Sequence, residues 1–244
     1  MSAFESVKTL EGMKERASAL TPFTDLELKS MVTSYANLMP ATGWEDLSPS
    51  LDALSALMKR EAHVSHKEWA RTLIASESLA NVVGEPDDPA FREAFHRVLL
   101  GGGWDRAVEA VGMRQGKPWA VLVTGLNGIR KTTCTYQPWF QSVLAEALQC
   151  PPDSPMPPQG DLPCGDNAFF RQLDFIVSTL ANEQFRELFS TYDLTQVDGY
   201  AAAKDGIFAR YRKAAEMVGL LLIQAARKRR LNVMTETSGR DVAM

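Results

Sequence analysis

Cysteine is scarce in this chain, with three in 244 residues. Cys134, Cys150 and Cys164 are odd in number and far apart, which excludes a disulfide framework and a CxxC metal site and leaves three reduced thiols. Histidine is equally rare, also three. His63 and His66 have helical ligand spacing, but no third ligand stands near them, so they read as exposed helix residues. An excess of basic charge is missing as well: 26 Lys and Arg against 30 Asp and Glu give a net charge of −4. That balance argues against a general polyanion binder, and nucleic acid is not an expected partner. The local run Arg227, Lys228, Arg229 and Arg230 reads as a solvated helix end, where cations suit the helix dipole. No apolar run approaches the roughly 18 residues that span a bilayer, and the opening MSAFESVKTLEG lacks the basic start and apolar core of a leader. The expectation is a cytoplasmic protein with no membrane partner.

What is present is an ordinary globular composition, 45% hydrophobic and 23% charged. The length admits one large domain, or a helical module joined to a second domain. The first hundred or so residues read as helices separated by turns: 25–39, 50–61, 66–83 and 89–100. Apolar residues there recur at three and four, as in Leu51, Leu54, Leu57 and Met58, with Pro49 ahead of the run. Gly84, Pro86, Asp87, Asp88 and Pro89 end one helix and start the next, and Gly101 to Gly103 end that one. A short amphipathic piece follows at 105–111. From Trp119 the pattern changes to AVLVTG, a short apolar, β-branched run ending in glycine, as a buried parallel strand reads. The helix expected at 131–148 carries Pro138, which removes a backbone donor and interrupts it. Six prolines between Cys150 and Pro163 mark an extended loop. Two shorter helical patterns, a long helix at 198–229 and the strand LNVMTET complete the chain. The expected fold class is α/β, a P-loop NTPase-type parallel sheet with flanking helices in residues 113–244, preceded by an all-α region in residues 1–112.

Gly125, Leu126, Asn127, Gly128, Ile129, Arg130, Lys131 and Thr132 fit the phosphate-loop pattern GxxxxGK[ST] at every fixed position except the second glycine, where Arg130 stands. A strand feeds this segment and a helix leaves it, so backbone N–H groups there can converge on phosphate oxygens. With Thr133 beside them, these residues form the candidate nucleotide cradle. Lys131 is expected to reach the β and γ phosphates of ATP or GTP, and the Thr132 hydroxyl to hold Mg²⁺. The competing reading is a strand-to-helix turn that happens to carry a lysine. Tyr136, Trp139 and Phe140 read as helix packing more than as a base-stacking platform.

The later segment Leu231-Asn232-Val233-Met234-Thr235-Glu236-Thr237-Ser238-Gly239-Arg240 resembles the part of zeta-toxin family kinases in which a strand ends in Glu-x-Thr-x-Arg, with Ser238 replacing threonine. Asp166-Asn167-Ala168-Phe169-Phe170-Arg171-Gln172 is similar to that family's Asp followed by Phe-Arg on the first helix after the second strand. Together with the cradle, these landmarks cover residues 119–244, about half the chain. The resemblance implies phosphoryl transfer from ATP or GTP, with Mg²⁺, to a hydroxyl of a small molecule, UDP-N-acetylglucosamine being the acceptor in characterised members. It implies Asp166 as general base, Lys131 and Arg240 as catalytic cations, and Asp166, Arg171, Glu236, Ser238 and Arg240 as acceptor-binding residues. Such chemistry suits these residue types, because a sugar hydroxyl is a poor nucleophile and the transferring group needs positioned cations. Each has a plainer alternative: Asp166 as the cap of a helix starting at Asn167, Glu236 and Arg240 as a surface ion pair. A doubly wound sheet has about five strands, so the resemblance also implies further strands and lid arginines beyond Met244. The alternative function is a catalytically inactive nucleotide-binding or protein-interaction module, with the N-terminal helices as the surface for a protein partner.

Overall fold

The helical periodicity of the sequence is realised across most of residues 7–38, 47–125, 130–148 and 161–237, which the computed structural model describes. The helices are α1 (Val7–Ala19), α2 (Asp25–Ala36), α3 (Leu47–Glu61), α4 (Trp69–Val83), α5 (Pro89–Ala94), α6 (His96–Gly101) and α7 (Trp104–Val111). After strand β1 (Ala120–Thr124) come α8 (Lys131–Cys134), α9 (Trp139–Ala147), β2 (Ala168–Arg171), α10 (Leu173–Leu180), α11 (Asn182–Thr191), α12 (Val197–Lys228) and β3 (Asn232–Thr237). The result is mostly helical with one small parallel sheet, an open α/β arrangement. No described helix is long and apolar enough to cross a membrane.

The chain divides into two units, each assembled from two stretches. The division differs from a single boundary at 112/113. One unit takes Met1–His96 with Leu173–Leu221, and the other takes Arg97–Gln172 with Leu222–Met244. Sequence order hides this, because the helices 173–221 follow the first two strands in the chain but pack with the N-terminal helices.

In the helical unit, α2 starts on a capping box. The Thr24 hydroxyl accepts from Glu27 N–H at 3.3 Å and the Glu27 carboxylate accepts from Thr24 N–H at 2.6 Å, so two otherwise orphaned donors are satisfied. Leu28, Met31 and Tyr35 of α2, Leu54, Leu57 and Met58 of α3, and Leu79 and Val83 of α4 are buried, each set at helical spacing. α12 adds Ala203, Ile207, Tyr211, Ala215 and Val218. Its Gly206 lies where a Cβ would run into the backbone carbonyl of Leu10, so glycine lets α1 approach this closely. Arg210 is buried among hydroxyl and amide acceptors, donating to Ser30 at 2.7 Å, Gln184 at 2.9 Å and Ser34 at 3.1 Å. Tyr35 donates its hydroxyl proton to the Arg210 carbonyl and meets the Tyr211 ring edge-on at 5.4 Å. Burial pushes the Tyr211 phenol up to about 12 and Tyr35 well above the ordinary tyrosine range.

His63 departs from the expectation of an exposed helical residue. It lies past the end of α3, half-buried, with Nδ1 enclosed and unpartnered. Desolvation first, then the cations Arg71 and Lys213 against the opposing carboxylate of Glu61, lower its pKa from 6.5. The folded state therefore binds this proton less readily than the unfolded chain does. Its contribution to stability is present above pH 6.5 and is lost as pH falls through the depressed folded-state value. Thermal denaturation between about pH 7 and about pH 5 should show a steeper loss of Tm for the wild type than for His63→Gln. Parallel curves would mean that His63 has no such linkage.

The second unit holds the sheet, in the order β1-β3-β2 with both pairings parallel. Ala120 to Thr124 register with Val233 to Thr237, and Ala168 to Arg171 with Asn232 to Thr235. Side chains alternate between faces. Ala168, Phe170 and Met234 form a buried cluster on one face, with Val121, Val123 and Phe140 of α9 against it. On the other face Phe169 meets the ring of Trp104, the first residue of α7, at 5.4 Å and 75°. Gly102 admits the Phe169 ring, and its carbonyl accepts from Phe170 N–H at 2.8 Å. Gly103 adopts the left-handed conformation, φ 70°, that turns the chain into α7. At the amino end, buried Asn232 accepts from Trp119 N–H at 2.9 Å and donates to the Asp161 carbonyl at 3.2 Å. Arg229, expected to be a solvated helix-end cation, lies over the Trp104 ring at 5.6 Å.

One sequence expectation changes here. Residues 167–172, read as the start of a helix, contain strand β2 instead. Aromatic residues favour a pleated, enclosed setting, and all four strand residues are buried. Pro138 does interrupt the helix after the cradle: the first piece, α8, is four residues long and a second helix starts at Trp139.

Candidate functional site

Strands β1 and β3 run side by side and both end at the edge of the sheet where residue 125 begins the cradle. Val123 pairs in register with Glu236, so Glu236 projects from the same face as Val123 and Met234, the face that the α8–α9 segment follows. Gly125 leaves β1 with φ 147°, a conformation that side chains rarely adopt. Arg130, the residue in the second glycine's place, has φ 60° and ψ 38° and is exposed. The backbone at this point keeps the left-handed conformation for which glycine is normally used, and the arginine side chain turns to solvent.

Lys131 follows at once and is buried, its side chain 4% exposed. Its ammonium donates to the Gly125 carbonyl at 2.9 Å and lies 3.3 Å from Glu236 Oε1. A buried ammonium needs a counter-charge, and the carboxyl end of β3 supplies it. The Thr132 hydroxyl donates to Gln172 Oε1 at 3.2 Å and stands 3.4 Å from Glu236 Oε2. Gln172 is the residue directly after β2, so the ends of all three strands contribute to one cluster. Thr133, the next residue of α8, offers its carbonyl to Tyr136 N–H and Gln137 Nε2, both at 3.3 Å.

The structure thus brings together Gly125, Lys131, Thr132 and Glu236 of the residues singled out from sequence, and adds Gln172. It does not bring Asp166 to them. Asp166 precedes β2 at its amino end, with its side chain 71% exposed and paired to Arg106 at 3.2 Å. The strand separating it from Gln172 rises about 13 Å at ~3.3 Å per residue. The general-base position expected for Asp166 assumed that this stretch follows the second strand; it precedes that strand, and the carboxylate sits at the wrong end of the sheet. Arg171 ends β2 and is buried, but it alternates with Phe170 and so belongs to the face opposite Gln172 and Glu236. Leu126, Asn127, Gly128, Ile129, Ser238 and Arg240 lie outside the described residues. Of the aromatics after the cradle, Phe140 packs on the sheet, whereas Trp139 is half exposed.

Gln172 carries no signal of its own in the sequence, because its position depends on β2, and the segment 168–171 reads there as part of a helix. Once the strand is recognised, the residue directly after it is the natural candidate, since open α/β sheets place ligands at the carboxyl ends of their strands.

A hydroxyl, an amide carbonyl and a carboxylate form an all-oxygen donor set, which suits a hard cation such as Mg²⁺ shared with a phosphate ligand. The described residues contain no cluster of three or more His, Cys, Asp or Glu side chains able to hold a metal by themselves. With the neighbouring ammonium, the arrangement can pair with anionic oxygens and place a cation beside them. Comparisons with protein-family models, with curated proteins and with solved structures give no match for this chain.

Proposed function

We propose that the second unit binds a nucleoside triphosphate, ATP or GTP with Mg²⁺, and transfers its γ-phosphoryl group to a hydroxyl of a small molecule, with nucleotide sugars as the acceptor class. The observation that carries this reading is the buried Lys131 ammonium beside Thr132 and Glu236 at the carboxyl end of a parallel sheet. Support comes from the strand that feeds the cradle, the GxxxxxKT spacing and the resemblance to zeta-toxin kinases. In the reading, Lys131 exchanges Glu236 for β- and γ-phosphate oxygens and stabilises charge on the transferring group. Thr132 and Glu236 are the residues that would hold Mg²⁺, which supplies charge neutralisation on the phosphates. Arg240 and Ser238 are assigned to the acceptor and the transferring group by the resemblance alone. The four-residue α8 contributes little macrodipole, so Lys131 and the cation carry most of the anion recognition.

A second reading, nucleotide binding without transfer, is favoured by one observation: Asp166 stands at the amino end of β2, paired to Arg106. Incubation with γ-labelled ATP or GTP and a panel of hydroxyl acceptors, UDP-N-acetylglucosamine among them, separates the two. The kinase reading expects label on an acceptor in Mg²⁺ and none in EDTA. Nucleotide binding with no labelled acceptor would favour the second reading. Absence of any nucleotide effect on melting temperature would rule out both.

A further inference from the structure

Glu236 touches both members of the cradle that are to meet phosphate and cation, and the two contacts have opposite consequences. Through Oε1 it holds the Lys131 ammonium at 3.3 Å. There it occupies a position that a phosphate oxygen would take, and as an anion it repels a second anion. Through Oε2 it faces the Thr132 hydroxyl at 3.4 Å, while Gln172 Oε1 approaches the same hydroxyl at 3.2 Å. A hydroxyl has one proton, so it satisfies one of these two acceptors and leaves its lone pairs facing the other. Three oxygens, one from α8 and two from the carboxyl ends of β2 and β3, converge with one proton among them, which is the donor chemistry of a hard divalent cation.

We propose that Thr132, Gln172 and Glu236 form a divalent-cation seat, and that Glu236 is a gate: it holds Lys131 when no cation is bound and is drawn off the ammonium when one is. The phosphate chain then enters only as its metal complex. This rests on the phosphate-cradle reading above and goes further, because it assigns the obligate order to Glu236 and a cation-positioning role to Gln172. Neither residue acts on the reacting atoms in this account. The gate has a simple physical origin, since a carboxylate neutralised by a divalent cation no longer competes for Lys131 or repels the incoming polyphosphate.

The test uses the full chain and inorganic tripolyphosphate as the probe, which isolates the cradle from any base or acceptor recognition. Titration calorimetry in Mg²⁺ and in EDTA is expected to show wild-type affinity about tenfold or more weaker in EDTA. Glu236→Gln keeps the shape and removes the charge, so it should bind tripolyphosphate in EDTA about tenfold or more tightly than the wild type and lose most of the Mg²⁺ dependence. Gln172→Leu should raise the Mg²⁺ concentration needed for half-maximal tripolyphosphate binding. Equal wild-type affinity with and without Mg²⁺ overturns the gate and leaves the cradle standing. An EDTA affinity of Glu236→Gln no higher than the wild type's does the same. Failure of every protein to bind tripolyphosphate in either buffer overturns the cradle as well.

Discussion

Replacing Lys131 with alanine is expected to lower the affinity for Mg²⁺-nucleotide by roughly 100-fold, about 3 kcal/mol, while scarcely changing the stability of the unliganded protein. The asymmetry follows from where the two partners of the ammonium lie. A charge-assisted bond to a phosphate contributes about 1.5–3 kcal/mol, and Lys131 is placed to make more than one as it bridges neighbouring phosphates. In the unliganded protein the same ammonium faces a carboxylate that is 27% exposed. With the lysine gone, water can solvate Glu236 through that opening, so the loss is far below the cost of a deeply buried orphan charge. Calorimetric titration with Mg²⁺-ATP and a melting curve without ligand, run on the same sample, read the two effects apart. Asp166→Ala serves as the contrast: its exposed pairing with Arg106 is a surface ion pair at the far end of β2, and nucleotide affinity should remain at the wild-type value. An unchanged affinity in Lys131→Ala, or a loss in Asp166→Ala equal to it, would remove the cradle from the account.

The contrast between these two residues also shows what the sequence could and could not reveal. The Lys131-Thr132 cluster was legible because its signal is local: a β-branched strand, a glycine and the lysine lie within a dozen residues and need no tertiary knowledge. The partner Glu236 was legible as a strand-end residue but not in its contact with Lys131, because that contact depends on β3 lying beside β1. Asp166 was misplaced by a single error of element type. Asp-Asn before a short apolar run reads as a helix cap, and a four-residue strand with every side chain buried carries no alternation to contradict it. Once 168–171 is a strand, Asp166 moves from one end of the sheet to the other and Gln172 takes the position next to the cradle.

The same physics explains the remaining differences in the helices. α1 has no acidic residue in its first turn and lies outside the helices expected from the sequence, although Leu10 and Met13 are buried. The segment 89–100 reads as one helix from its periodicity, yet it breaks at Phe95, whose ring packs on Phe91 at 4.6 Å. The two-part composition of each unit could not be read from sequence, since nothing in the pattern of 173–221 distinguishes the helices it joins from those it follows.

Trp104→Ala is expected to lower the stability of the protein by about 4 kcal/mol. Trp104 is fully buried in the second unit, edge-on to Phe169 on the face of the sheet away from α9, and Arg229 lies over its ring. Alanine leaves a cavity that the sheet cannot collapse into, because β2 is fixed by its pairing with β3 and by the Phe170 bond to Gly102. A loss of that size is a large share of an ordinary domain's stability and corresponds to a Tm fall of roughly 8–16 °C for a chain of this length. Trp104→Phe separates packing from polarity. The indole N–H of Trp104 has no hydrogen-bond partner, so phenylalanine keeps an edge-to-face contact with Phe169 and removes a buried donor whose desolvation is uncompensated. Its cost should therefore be less than half that of alanine. Urea denaturation of the three proteins measures this directly. If phenylalanine destabilised as much as alanine, the indole N–H would have to be making a contact that matters, and the packing account of this face would be wrong.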